Sequence, residues 1–220
     1  LALIFIAFAP SYFLASAYHR PAPPPFIVFH GALMTGWVLL LLFQAAAAAM
    51  GRMRWHLKLG DAGIAYGLLL VPIACMSVTI SAAREVHGHT GFMLGELNVL
   101  GISRMQGGLF GVFVVAAWMK RAKTDYHKRL IVLATLSVLP NAIVRLSLNV
   151  PAFGFLQTNF EILTLWAVIC VLVIAVDALR VRRLHPVFVV GGALTLLALY
   201  ASWFISRTQA WDQFWIHSLT

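Results

Sequence analysis

Lys120-Arg121-Ala122-Lys123-Thr124-Asp125-Tyr126-His127 closes one long apolar run and opens the next. The same pattern occurs at Gly51-Arg52-Met53-Arg54-Trp55-His56 and at Arg180-Val181-Arg182-Arg183-Leu184-His185. Apolar runs of about 20 residues match the ~30 Å hydrocarbon of a bilayer, and loops rich in Lys and Arg stay on the cytoplasmic side. Class, topology and orientation follow from these loops, which also put three imidazoles at one membrane depth. The reaction does not follow from them.

Outward from the loops, the hydropathy pattern predicts seven spans, at 1–18, 26–49, 60–83, 97–119, 129–149, 159–179 and 187–206. The connectors carry breakers or charge: Arg20-Pro21-Ala22-Pro23-Pro24-Pro25, the polar stretch from Arg84 to Glu96, and Val150-Pro151-Ala152-Phe153-Gly154. Eleven of the 16 Lys and Arg lie in or beside the three basic loops, against Arg20, Arg84 and Arg207 on the opposite face. That asymmetry places the N-terminus inside and the C-terminus outside. Trp55 and Trp118 mark the inner boundary; Trp203, Trp211 and Trp215 mark the outer one. The expected fold is all-α, a polytopic membrane bundle of about seven transmembrane helices forming one domain over residues 1–220. The basic-loop-then-His pattern recurs at unequal spacing, so it reads as repeated orientation by charge rather than as an internal repeat.

Composition agrees. With 61 % hydrophobic and 10 % charged residues, the chain has too little charge to cover a water-exposed surface. The net charge of +9 is then a topology signal that also attracts anionic headgroups, and nucleic acid is excluded as a partner. Cys75 and Cys170 each fall inside an apolar run, where two lone thiols packed between helices are expected. The chain opens on Leu1 within an apolar run, so a short piece upstream is expected. The first run lacks a small-residue cleavage site before Tyr18-His19-Arg20, which argues against a cleaved signal peptide.

Chemistry should lie where the bilayer makes polarity expensive. One helix face carries His30, Met34, Trp37, Leu41 and Gln44; another carries His127, Ala134, Val138, Asn141 and Arg145. Pro140 removes a backbone donor and frees the carbonyl of Leu136 just below the arginine. Arg145 either snorkels to the outer headgroups or pairs with Glu161, one short loop away. Arg104 shares a side with Gly107, Gly108 and Gly111, with Glu96 and Asn98 above it as partners. The outer half thus gathers His30, Glu96, Arg104, Asn141, Arg145 and Glu161, and with Gln44 lower down these make a candidate buried polar site. His87 and His89 form a surface His-Gly-His, more in keeping with solvation than ligation.

Among metal-ligating candidates, His30, His56, His127 and His185 stand out, with Asp61, Asp125 and Asp177 near the inner three. Imidazoles suit zinc, copper or iron, and pairs of them suit haem. Interfacial anchoring accounts for the inner three better than ligation does. His30 is the ligand expected first, because it alone lies within the hydrocarbon, with Glu161 or Asn141 as acceptor for its second ring nitrogen. There is no His-Glu-x-x-His, Cys-x-x-Cys or glycine-rich phosphate loop.

The strings Phe29-His30-Gly31-Ala32-Leu33-Met34-Thr35-Gly36-Trp37, His56-Leu57-Lys58-Leu59-Gly60 and His127 through Thr135 to Arg145, with Asp177 to His185-Pro186 and Thr208-Gln209-Ala210-Trp211, carry a resemblance. The chain resembles an uncharacterised proteobacterial family of small seven-span inner-membrane proteins, over nearly its whole length. The resemblance implies an all-helical protein of the inner membrane and supplies no activity. A looser similarity, His in one span followed by His-x-x-x-Gly opening the next, points to b-type cytochrome and oxidase-assembly-like membrane domains.

Three readings stay open: a redox protein with haem b or a transition metal on intramembrane histidines, a small-molecule binder or transporter for anions, and an assembly subunit packed against other membrane-protein subunits. The topology itself is testable. Cysteines placed at Lys123 and at Val86 are expected to react with an impermeant label from opposite sides; labelling of both from one side overturns the orientation.

Overall fold

The computed structural model describes residues 2–20, 23–87 and 95–219, without the side chains of 84–87, 95–99, 212 and 216–219. Every regular element among them is helical. α1 (Ala2–Phe8) runs into a π-helical turn, Ala9–Phe13, and is followed by α2 (Pro25–Ala49), α3 (Met53–His87) and α4 (Gly95–Met119). Then come α5 (Thr124–Ser137), α6 (Pro140–Asn149), a 3-10 turn at Pro151–Phe153, α7 (Asn159–Val181), α8 (Pro186–Ile205) and α9 (Gln209–Leu219).

Six stretches are long and apolar enough to cross a membrane: Pro25–Ala49, Met53–Ala83, Leu100–Met119, Thr124–Asn149, Asn159–Val181 and Pro186–Ile205. These are the marks of a multi-pass membrane protein. The first predicted span differs. It is helical only over Ala2–Phe13, shorter than the ~20 residues a crossing needs. Pro10 sits inside it, and the Leu14 N–H reaches back five residues to the Ala9 carbonyl at 2.8 Å, which is the π register.

The helix ends follow local chemistry. Thr158 and Glu161 form a capping box at the start of α7, and Arg182, in the left-handed region at φ 55°, closes its other end on the Ala178 carbonyl. His185 caps α8 ahead of Pro186, which needs no N–H partner at that position. At Pro140 the span is interrupted between α5 and α6, and the Leu136 carbonyl, which the proline cannot serve, accepts from the Leu139 N–H at 3.2 Å and from the buried Trp166 indole at 2.7 Å.

α4 is the central helix, packed on α3, α5, α8 and α9. Its Phe110, Phe113 and Val114 join Leu70, Leu133, Trp166 and Leu199 in the main core. α2 packs lengthwise on α3, and α1 lies on α6 through Ala7, Ala142 and Leu146.

The α2–α3 contact is set by Gly67. A Cβ there would stand 2.7 Å from Trp37 Cζ3 and 3.1 Å from Cη2. The indole is 4 % exposed and pinned edge-on against Phe110 at 5.0 Å, so it has nowhere to go. Gly67→Ala is expected to cost about 1–3 kcal/mol through overpacking, read as a lower unfolding midpoint in detergent. An unchanged midpoint contradicts this packing.

Candidate functional site

The inner histidines separate into a pair and a cap. His56 opens α3 and His127 opens α5; their ring centres are 6.3 Å apart with perpendicular planes. Each ring is oriented through Nδ1, His56 toward the Gln44 carbonyl at 3.3 Å and His127 toward the Ala117 carbonyl at 2.9 Å. A carbonyl is an acceptor only, so Nδ1 carries a proton in both rings. Two backbone carbonyls, at the inner ends of α2 and α4, thus fix the tautomer of both rings in the way that second-shell acceptors fix metal-binding histidines. His185 instead spends Nδ1 on the Val187 N–H at 3.2 Å and packs edge-on against Tyr126 at 4.9 Å. Burial, then the Arg129 guanidinium, holds it below the ordinary histidine range. It is neutral and structural.

Beside that cap lies an ionic group that the sequence pattern concealed. Arg129 is 2 % exposed. Its Nε and Nη2 donate to the two Asp177 carboxylate oxygens at 2.8 and 3.0 Å, and Nη1 donates to the Asp125 carbonyl at 2.8 Å. The Asp125 carboxylate completes the set at 3.4 Å. In sequence Arg129 counts merely as one more loop cation. The signal that singles it out is position: it stands four residues past Asp125, a full turn inside α5.

The outer candidates do not assemble into one site. Glu161 is committed to its own helix, where its carboxylate accepts from the Gln157 and Thr158 N–H groups at 2.7 and 2.8 Å. The expected pairing with Arg145 or with His30 is absent, because capping the start of α7 uses the carboxylate. Arg104 turns toward α3 and α9, donating to the Thr79 hydroxyl at 2.8 Å and stacking 3.8 Å over the Trp215 ring. Asn141 is exposed and borders a cavity of about 20 Å³ shared with Ser103, Gln106 and Asn159, room for one water molecule. Gln106 was not singled out by its sequence context, yet it is 2 % exposed and its Oε1 has no partner among the described residues. His30 Nδ1 and Gln44 Oε1 are likewise buried without partners. Arg145 is exposed and makes no hydrogen bond or ion pair among the described residues. The side chains of Glu96, Asn98 and His87, and all of His89, lie outside the described residues.

Among the described residues no three His, Cys, Asp or Glu side chains converge on a point suited to a metal ion. A hollow between α3 and α4 is lined mainly by apolar groups such as Leu68, Val71, Val112 and Met119. Comparison with protein-family models, with curated proteins and with solved structures finds no match to this chain.

Asp177→Asn weakens the grip on a buried guanidinium and is expected to cost about 3–5 kcal/mol of stability. The double variant Arg129→Met, Asp177→Leu removes both charges and is expected to recover much of that loss in thermal unfolding. Equal losses in the single and double variants contradict the pairing as the source of the energy.

Proposed function

We propose that this chain is a bacterial inner-membrane redox protein that holds a b-type haem between His56 and His127. The inner-membrane placement rests on the family resemblance and on the three basic loops, which belong on the cytoplasmic face. The observation that carries the haem reading is the 6.3 Å between the two ring centres. At that separation both imidazoles could reach one iron through Nε2, and it exceeds the roughly 5 Å that a tetrahedral ion would set.

Ligand number points the same way. Zinc sites take three or four protein ligands, and no third donor joins the pair among the described residues. A porphyrin brings four nitrogens of its own and asks the protein for two. It also needs a flat space, and the cytoplasmic end of α2 is a run of alanines from Ala45 to Ala49. Bound there, haem would supply reversible one-electron chemistry; His56 and His127 would hold and orient it, and the carbonyls of Gln44 and Ala117 fix the orientation of both rings.

The test is the optical spectrum of protein purified from haem-supplied cells. A Soret band that shifts on reduction is expected, lost in His56→Ala and in His127→Ala and kept in His185→Ala. A colourless, metal-free protein overturns the reading. A band lost only in His30→Ala overturns the ligand assignment.

A further inference from the structure

The face between α3 and α4 is bridged at two levels and open between them. At the outer level the Arg104 guanidinium donates to the Thr79 hydroxyl of α3 at 2.8 Å and lies 3.8 Å from the centre of the Trp215 ring. Trp215 also packs on Ala82 and Leu100, so α9 covers the outer part of this face. At the inner level the Trp118 indole donates to the Asp61 carboxylate of α3 at 3.2 Å. Between the two bridges runs a groove of about 640 Å³, from Pro72 and Gly108 down to Met119.

Helical period builds the two walls. Leu68 and Pro72 share a stripe of α3, and Asp61 continues that stripe two turns toward the basic loop. On α4 the wall is Gly108, Val112, Val115 and Met119, a single stripe that ends beside Lys120. Behind the groove the helices are tight, since a Cβ on Gly111 would stand 3.1 Å from Val71 Cγ2. Gly108 is the opposite case. A Cβ there would meet nothing within 4 Å, so its side looks into open space. From Gly108 to Met119 the wall is about 16 Å long at 1.5 Å per residue. That is close to one leaflet, half of the ~30 Å hydrocarbon.

We propose that this groove holds one acyl chain of an anionic phospholipid, with the headgroup phosphate at Arg121. The apolar walls and the one-leaflet length suit a chain that enters from the basic end. A helix of a second copy suits them less: about 10 Å across and 16 Å long, it occupies on the order of 1,300 Å³, twice the groove. The headgroup end is set by printed geometry of the loop. Arg121 Cζ stands 4.9 Å over the Trp118 ring, and Nη1 donates to the Trp118 carbonyl at 3.2 Å. Trp118 in turn reaches Asp61, so the guanidinium is held where α3 and α4 meet at the inner mouth. Its planar fork has donors left for two phosphate oxygens, and the exposed Lys120 adds a second positive charge beside Met119. Asp61 sets one negative charge against these two. Basic mouths between membrane helices take anionic headgroups for this reason. The lipid site stands whether or not haem is bound.

The test follows the unfolding midpoint of the delipidated full-length protein in maltoside micelles. Palmitoyl-oleoyl phosphatidylglycerol, palmitoyl-oleoyl phosphatidylcholine or dihexanoyl phosphatidylglycerol is added. The long-chain phosphatidylglycerol is expected to raise the midpoint at the lowest concentration, and its short-chain form to act weakly. Gly108→Leu fills the groove from a position with open space around it, and leucine suits a helix better than glycine. It is expected to keep the lipid-free midpoint and to lose the response. Arg121→Gln is expected to weaken phosphatidylglycerol about fivefold, the scale of one basic residue at a headgroup, and to leave phosphatidylcholine unchanged. Val190→Leu, on an exposed face of α8, should respond as the parent does. The proposal is overturned if Gly108→Leu responds as fully as the parent, or if the two long-chain lipids act alike. A dimer that Gly108→Leu disperses gives the groove to a second copy and overturns it as well.

Discussion

The bidentate contact between Arg129 and Asp177 holds the inner half of the bundle in register. It joins α5 to α7, and through Asp125 it ties down the first turn of α5. A guanidinium at 2 % exposure is costly to bury, so the arrangement persists only because both oxygens of one carboxylate and a backbone carbonyl meet it. His127 lies two residues before Arg129 on the same turn. Fixing Arg129 therefore fixes the start of the helix that presents His127 to His56. The cap of α8 depends on the same charge, since Arg129 helps keep His185 neutral and able to accept the Val187 N–H.

At the other end, the governing constraint is backbone satisfaction. Pro140 breaks the α5–α6 ladder, and in hydrocarbon an unpaired carbonyl is costly. The Leu136 carbonyl accepts from the Leu139 N–H and from the Trp166 indole, and the indole bond ties α7 to the break. Beyond the break, α6 lies against α1 through Ala142 and Leu146, and its Arg145 is exposed.

Fold class was legible because hydropathy and charge are additive along the chain: each long apolar run reports itself without knowledge of its neighbours. The first segment was the exception, because Pro10 is one residue and a run-length reading averages over it. The candidate site was legible only by parts. The faces bearing His30 and Arg145 follow from helical period alone, but what packs beside each helix depends on the break at Pro140 and on the ties made by Tyr12 and Asn149, both long-range. Glu161 misled for a local reason, since Thr158 three residues ahead makes a capping box as readable as the ion pair it competes with. Arg129 was hidden by the rule that located the loops, which treats every cation near a helix end as a topology signal.

The two polar ends are nearly independent in energy. His127 and Arg145 are 18 positions apart on one broken span, about 27 Å at 1.5 Å per residue. A unit charge appearing at one end acts on a charge at the other with about 0.6 kcal/mol at an effective dielectric of ~20. That is less than a threefold change in any equilibrium. Between the two ends lie Trp37, Phe110, Leu133 and Ala134, all buried in one apolar core, so no polar chain relays the effect. Any stronger coupling has to be mechanical, through a change of angle at the Pro140 break, where α5 carrying His127 meets α6 carrying Arg145. The Trp166 bond to the Leu136 carbonyl ties α7 to that break and opposes such a change.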